Sequence, residues 1–329
     1  MNIRDRQSLR EAANNALAAT PNHRKLVLIF VAVSSGLSLL ASILSMVLES
    51  QIAGTGGLAG MGMRSVLSTV QSVLSLALVV LMPFWSLGYI SVVLKLSRKK
   101  AATPTHLLDG FRRFGPALRL MLLRQLIYFV VAFICIQLAS VLFSFTPWSL
   151  SVYQLIYDNQ SMLTTGVISD ATMDALTQAM IPMVIILGIL YVAALIPVTY
   201  RLRMAELRLM DEPGCGAIAA IRDSNRMMRR NCFALFKLDL HFWWFYLVNA
   251  LVTVLCYCDV LLPMLGISFP FSGDVAYYVF FVAAMVLQLL FYWYCRNTVE
   301  CTYAKAYEAL YAPYKSVTLP KNDNPIQYY

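Results

Sequence analysis

From Leu26 to Leu48 the chain carries no charged side chain, and this run restricts the choice of fold more than any other feature. About 20 mostly apolar residues in a helix cross a hydrocarbon core about 30 Å thick. Five further runs follow, at about Val66–Leu94, Leu118–Phe145, Ala179–Tyr200, Leu238–Leu262 and Val275–Cys295. The second is long enough to cross with tilt. Lipid offers no hydrogen-bond partner to a lone strand, so such segments are expected to be helices. The expected fold class is therefore all-α: a polytopic membrane helix bundle of six transmembrane helices with amphipathic interfacial helices. Residues 1–329 are read as a single integral membrane domain, with an N-terminal segment over 1–25 and a C-terminal tail over 296–329. The chain is 59% apolar and 13% charged, against about 45–50% and 25% in soluble domains. That balance excludes a standard globular enzyme, a disordered chain and a collagen-like fibre.

The basic residues fall in alternate connections. Five Lys/Arg precede Leu26, seven lie from Lys95 to Arg119, eight from Arg201 to Lys237 and four from Arg296 onward. Only Arg64 separates the first two runs, and Thr146–Gln178 and Gly266–Asp274 contain none. Positive residues stay on the cytoplasmic side, which places both termini in the cytoplasm of a multi-pass plasma-membrane protein. The net charge of +9 then faces anionic headgroups and calls for no nucleic acid. The first apolar run is too long for a signal-peptide core and is expected to remain as an anchor. Cys135, Cys256, Cys258 and Cys295 lie in runs and Cys215, Cys232 and Cys301 on the expected inner side, so no disulfide framework is expected.

Each odd-numbered run is preceded by a basic, partly amphipathic stretch, beginning at Leu9, His106 and Ala220. Asp109 and Asp223 take matching places before the basic residues, 114 positions apart. The chain is read as three copies of one unit, a surface helix followed by a helical hairpin. Arg112 and Arg113 are the basic pair of the second stretch. In the third, Ile218, Ile221 and Met228 share a helical face, while Arg222, Arg226, Arg229 and Arg230 take the rest. Such a helix is expected to lie in the interface, apolar side down and arginines among phosphates, binding lipid or a partner.

Polar residues inside the runs are the other candidates. Ser34, Ser38, Ser42 and Ser45, and Ser65, Ser68, Ser72 and Ser75, recur at helical spacing and suit close helix packing or a polar path. Lys237, Asp239 and His241 cluster at the inner end of the fifth run, with Asn249 near its middle and Asp259 near its outer end. Ionisable groups at membrane depth are functional candidates. Arg124 can snorkel, and Asn249 and Gln288 suit bonds between helices. The three histidines are far apart, and neither a zinc-protease helix, a phosphate-binding glycine loop nor a serine elbow is present. No cofactor or metal is expected.

Gly88, LSRKK at Leu96–Lys100 and LLDGFRRFGPAL at Leu107–Leu118 carry a family resemblance. LREAANNAL, AIRDSNRMM, FALFKLDLHFWW and TYAKAYEAL at Thr302–Leu310 extend it over most of the chain. The sequence resembles a family of bacterial multi-pass membrane proteins classed as domain of unknown function nine-seven-five. It departs at Arg230, where members often have glycine, and at His241, where a small serine is usual. The resemblance implies a polytopic membrane protein and assigns no reaction.

The expected activity is that of a non-enzymatic accessory or scaffold protein whose basic inner helices engage anionic lipid, a protein partner or a second copy of the chain. The alternatives are a transporter or lipid-translocating protein, from the repeat and the serine stripes, and an intramembrane enzyme using Asp239 and His241.

Overall fold

A computed structural model describes residues 3, 5–54, 58–158, 170–258 and 273–318, and among them it is helical with no strand. In chain order the helices are α1 (Arg6–Ala18), α2 (His23–Gly54), α3 (Leu58–Ser97), a 3-10 turn (Pro104–Leu108), α4 (Asp109–Arg112), α5 (Phe114–Ser144) and α6 (Pro147–Asp158). There follow α7 (Asp170–Leu202), α8 (Ala205–Asp211), α9 (Ala217–Met228), α10 (Cys232–His241), α11 (Trp243–Cys256) and α12 (Gly273–Thr318). Five of these (α2, α3, α5, α7 and α12) contain stretches long and apolar enough to cross a membrane.

The fifth run is not one helix, contrary to the sequence expectation. It breaks at Phe242, and α10 and α11 meet at 67°. The cause is a crowded aromatic turn. The Phe242 ring is buried and lies edge-on to His241 and Trp244, while its backbone turns to φ −101°, ψ 25°. With 14 residues α11 rises about 21 Å, short of a hydrocarbon core, so a sixth crossing requires both halves. A second difference lies after α5, where a loop was expected and α6 forms. Pro147 begins it, which suits the first helical position, and Ser149 donates to the Thr146 carbonyl at 2.8 Å.

One compact unit comprises the chain up to Leu118 and from Met204 onward, and Arg119–Arg203 forms another. In the second, the Cys135 thiol reaches the Leu190 carbonyl at 3.7 Å, and α6 packs on α7. In the first, α1 is capped by Asp5, which accepts from the Ser8 N–H at 3.2 Å. Its apolar residues Leu9, Ala13, Ala16 and Leu17 are buried against α12 and α3, so this face is covered by protein. Asn297 ties three helices together, accepting from the Tyr89 hydroxyl at 2.8 Å and donating to the His23 carbonyl at 2.7 Å.

The tightest approach lies between α3 and the turn that follows it. A Cβ on Gly88 would sit 1.7 Å from the Leu107 carbonyl oxygen, and one on Gly110 would sit 2.0 Å from that of Phe84. Backbone therefore lies directly on backbone, which only glycine permits. The contact is held at its flanks. Phe84 stacks on Phe114 with centroids 4.7 Å apart. Asp109 accepts from Ser91 Oγ at 2.9 Å and pairs with Lys95 at 3.3 Å and Arg112 at 3.2 Å. Alanine at an ordinary helix-interior glycine gains about 1 kcal/mol. At Gly88 or Gly110 the obstacle is backbone, and overpacking costs about 1–3 kcal/mol or more. Gly88→Ala and Gly110→Ala are expected to lower the melting temperature of the detergent-solubilised protein. Gly36→Ala, with nothing within 4 Å of its Cβ, is expected to leave it unchanged or raise it.

Candidate functional site

The ends of α3, α8, α9 and α12 converge in a network of charges and phenols. Tyr307, Tyr311 and Tyr314 recur at four- and three-residue spacing along α12, which places their hydroxyls on one face. Tyr307 donates to Asp211 at 3.1 Å, Tyr311 to Glu212 at 2.6 Å and Tyr314 to Asp223 at 2.8 Å. Arg98, at the end of α3, pairs with Asp211 at 2.5 Å and with Glu308 at 3.1 Å. Arg208 on α8 pairs with Glu212 at 2.8 Å and with Asp223 at 3.1 Å, and its guanidinium lies 4.6 Å from the Tyr311 ring centre.

Burial alone raises the Glu212 carboxyl, but the Tyr311 hydroxyl and the Arg208 guanidinium more than offset it and leave the group below the usual carboxylate range. The Arg98 guanidinium is held protonated above its ordinary range chiefly by its hydrogen bond to Asp211, against an opposing desolvation effect. Burial pushes the Cys215 thiol up, with Arg208 opposing, so thiolate chemistry is disfavoured there. The carboxylates of this network are engaged by cations and phenols. Its chemistry is that of a lock between helix ends.

The lock sets the orientation of α9. Asp223 and Ser224 face inward with Ala217, Ala220, Met227 and Met228. Met228 is buried, but Ile218 is 71% exposed and Ile221 half-buried, so the three do not form the single apolar face expected. Arg222, Arg226, Arg229 and Arg230 are all exposed. Among the described residues none of the four forms an ion pair. Arg113 differs: its guanidinium donates to the Leu209 and Met210 carbonyls at 2.8 and 3.2 Å, closing the end of α8. Arg112 is exposed and pairs with Asp109.

The intramembrane candidates are dispersed. Asp239 accepts from Tyr246 at 3.3 Å and from Tyr303, and the two phenols lie 2.9 Å apart. His241 is half-buried beside Phe242, while Lys237 lies over the Phe233 ring. Asn249 accepts from Tyr292, joining α11 to α12, and donates to the Phe245 carbonyl at 2.7 Å. Asp259 lies outside the described residues. The hydroxyls of Ser34, Ser38, Ser68 and Ser72 bond to carbonyls of their own helices. Among the described residues no group of three or more His, Cys, Asp or Glu is placed to hold a metal.

Sequence reading missed Arg208, Asp211 and Glu308, which sit in stretches that look like ordinary loop or tail. The signal for them was the tyrosine spacing in YEALYAPY, too long a periodic pattern for an unstructured tail.

An all-helical chain with several membrane-length helices and charge-locked helix ends is the class that these features define. The chain matches, over residues 1–313, the model of a family described as "protein of unknown function (DUF975)", and it belongs to that family. No curated protein and no solved structure matches it.

Arg208 and Asp223 each expose about 10% of their side chains. Removing one member of a buried pair strands the other and costs about 3–5 kcal/mol, whereas replacing both by apolar groups is near neutral. Arg208→Met, which leaves Asp223 with no cation among the described residues, is expected to lower the melting temperature more than Asp223→Asn, which leaves Arg208 paired with Glu212. Because Glu212 titrates below its unfolded value, its stabilising contribution is complete above the ordinary carboxylate range and lost as pH falls through the folded value. The melting difference between the native protein and Glu212→Gln is expected to hold from neutral pH down to the ordinary carboxylate range and to shrink as pH falls further, through the lowered folded value. Since the Glu212 side chain is 39% exposed, solvent screening keeps that difference small and salt-sensitive.

Proposed function

We propose that the protein is a non-enzymatic accessory or scaffold protein of the plasma membrane, with both termini cytoplasmic, which gathers anionic lipid on its inner face through α9. The observation that carries this reading is the division of charge on that helix. Asp223 is turned inward onto Arg208 and Tyr314, leaving four exposed arginines without a carboxylate partner among the described residues. Ile218 stands exposed one turn before Arg222. An apolar side chain among arginines suits a helix at the headgroup boundary.

The same reading includes the repeated unit. Lys95 meets Asp109 across 14 residues, and Arg208 meets Asp223 across 15. In both, a basic residue near the end of one helix holds the aspartate of the next short one, which supports two copies of one device.

A basic side chain near an anionic surface contributes about 1 kcal/mol, so loss of two corresponds to roughly thirtyfold in partitioning. Replacing Arg222, Arg226, Arg229 and Arg230 by glutamine is expected to cut retention of phosphatidylglycerol relative to phosphatidylcholine at least tenfold in native mass spectra. Melting temperature should hold, because these side chains make no ion pair among the described residues. Unchanged lipid selectivity in the fourfold variant would refute the reading. A second reading, transport or lipid translocation, is favoured by one observation, a cavity lined by polar side chains among the long helices.

A further inference from the structure

That cavity lies between α2, α3, α11 and α12 and has a volume of about 400 Å³, within the range of small-molecule sites. Gln288, Tyr292 and Arg296 line it from α12 at four-residue spacing, one above another on a single helix face. The Tyr292 hydroxyl is committed to Asn249. Gln288 makes no hydrogen bond among the described residues. The rest of the lining is mixed: Phe30, Met82 and Val252 are apolar, while Ser34, Ser35 and Ser38 face the cavity from α2.

Arg296 is the unusual member. Its guanidinium lies 4.6 Å from the ring centre of Phe30, 5.0 Å from that of Tyr89 and 4.5 Å from that of Tyr292. Its Nε–H is buried with no hydrogen-bond partner. No described carboxylate forms an ion pair with it, including Glu300 one turn on. Three aromatic faces offset part of the cost of a cation in such surroundings, and the Tyr89 hydroxyl is within hydrogen-bonding reach of the guanidinium, but the buried Nε–H edge is left without an acceptor. The missing complement to a planar fork of donors is an oxyanion. The apolar part of the lining, Met82 and Val252 among it, and the location among membrane-length helices add an alkyl chain.

We propose that this cavity binds an anionic amphiphile from the lipid phase, its carboxylate or phosphate on Arg296, its neighbouring polar atoms at Gln288, and its chain along Met82 and Val252. This site is separate from the α9 surface, and either can hold without the other.

The test is the melting temperature of the full chain in neutral detergent, titrated with dodecyl phosphate, dodecanol or inorganic phosphate. Ligand that binds only the folded state raises that temperature saturably. The expected result is a saturable rise of a few degrees with dodecyl phosphate alone, abolished in Arg296→Gln and partly kept in Arg296→Lys. Ser35→Leu, which fills the cavity from α2 and leaves Arg296 in place, should also abolish it, so the proposal stays testable if Arg296→Gln does not fold. Arg222→Gln with Arg226→Gln should respond as the native protein does, which separates this site from the α9 reading. An equal rise with dodecanol, an equal rise with inorganic phosphate, or a full response in Arg296→Gln or Ser35→Leu would overturn the proposal.

Discussion

The ion pair between Arg208 and Asp223 is the interaction on which the charged face depends. A helix turns about 100° per residue, so fixing one side chain fixes the direction of all the others. With Asp223 held inward at 3.1 Å and Tyr314 as its second partner, α9 has one roll angle. Arg222 and Arg226 are then carried outward with Ile218, one turn apart each. The tyrosine ladder of α12 extends the same control to Asp211 and Glu212. Acidic side chains are thereby consumed inside the protein, and the basic ones are left to the surroundings. Net charge at the surface of this unit is a product of packing as much as of composition.

Much of the architecture was legible in the amino-acid sequence because bilayer thickness and backbone satisfaction leave few choices. Five of the expected runs correspond to membrane-length helices. The fifth run was misread as continuous, since hydropathy is blind to the crowding of His241, Phe242, Trp243 and Trp244 in successive positions. Gly88 was visible as a motif, but its reason was not. The 1.7 Å separation that a Cβ would meet comes from a turn that folds back onto α3. The face of α9 was misassigned for a related reason. Periodicity placed Ile218 and Met228 together, whereas the inward face of α9 holds Asp223 and Ser224 with Met227 and Met228 and leaves Ile218 outside.

The candidate site was legible only on its exposed side. The arginines on α9 and in the turn that ends it were found because they stand in a cluster. Arg208 meets Glu212 and Asp223 nearby in the chain, but the rest of the network pairs residues about 90 to 210 positions apart, such as Tyr314 with Asp223 and Arg98 with Glu308, and no local pattern encodes those pairs. Arg296 was read as the first residue of a tail. Placing it inside α12, against the rings of Phe30, Tyr89 and Tyr292, turns an ordinary flanking charge into a cation held in apolar surroundings.

In the function proposed above, α9 rests in the headgroup region with its arginine face toward lipid. The most direct test places a nitroxide amino acid at position 218 or 226 of the protein in an anionic bilayer, and compares its collision rates with oxygen and with a water-soluble nickel chelate. The label at 218 is expected to lie below the phosphates and the label at 226 near their level. Labels at both positions that report bulk water, with no difference in depth, would contradict this placement.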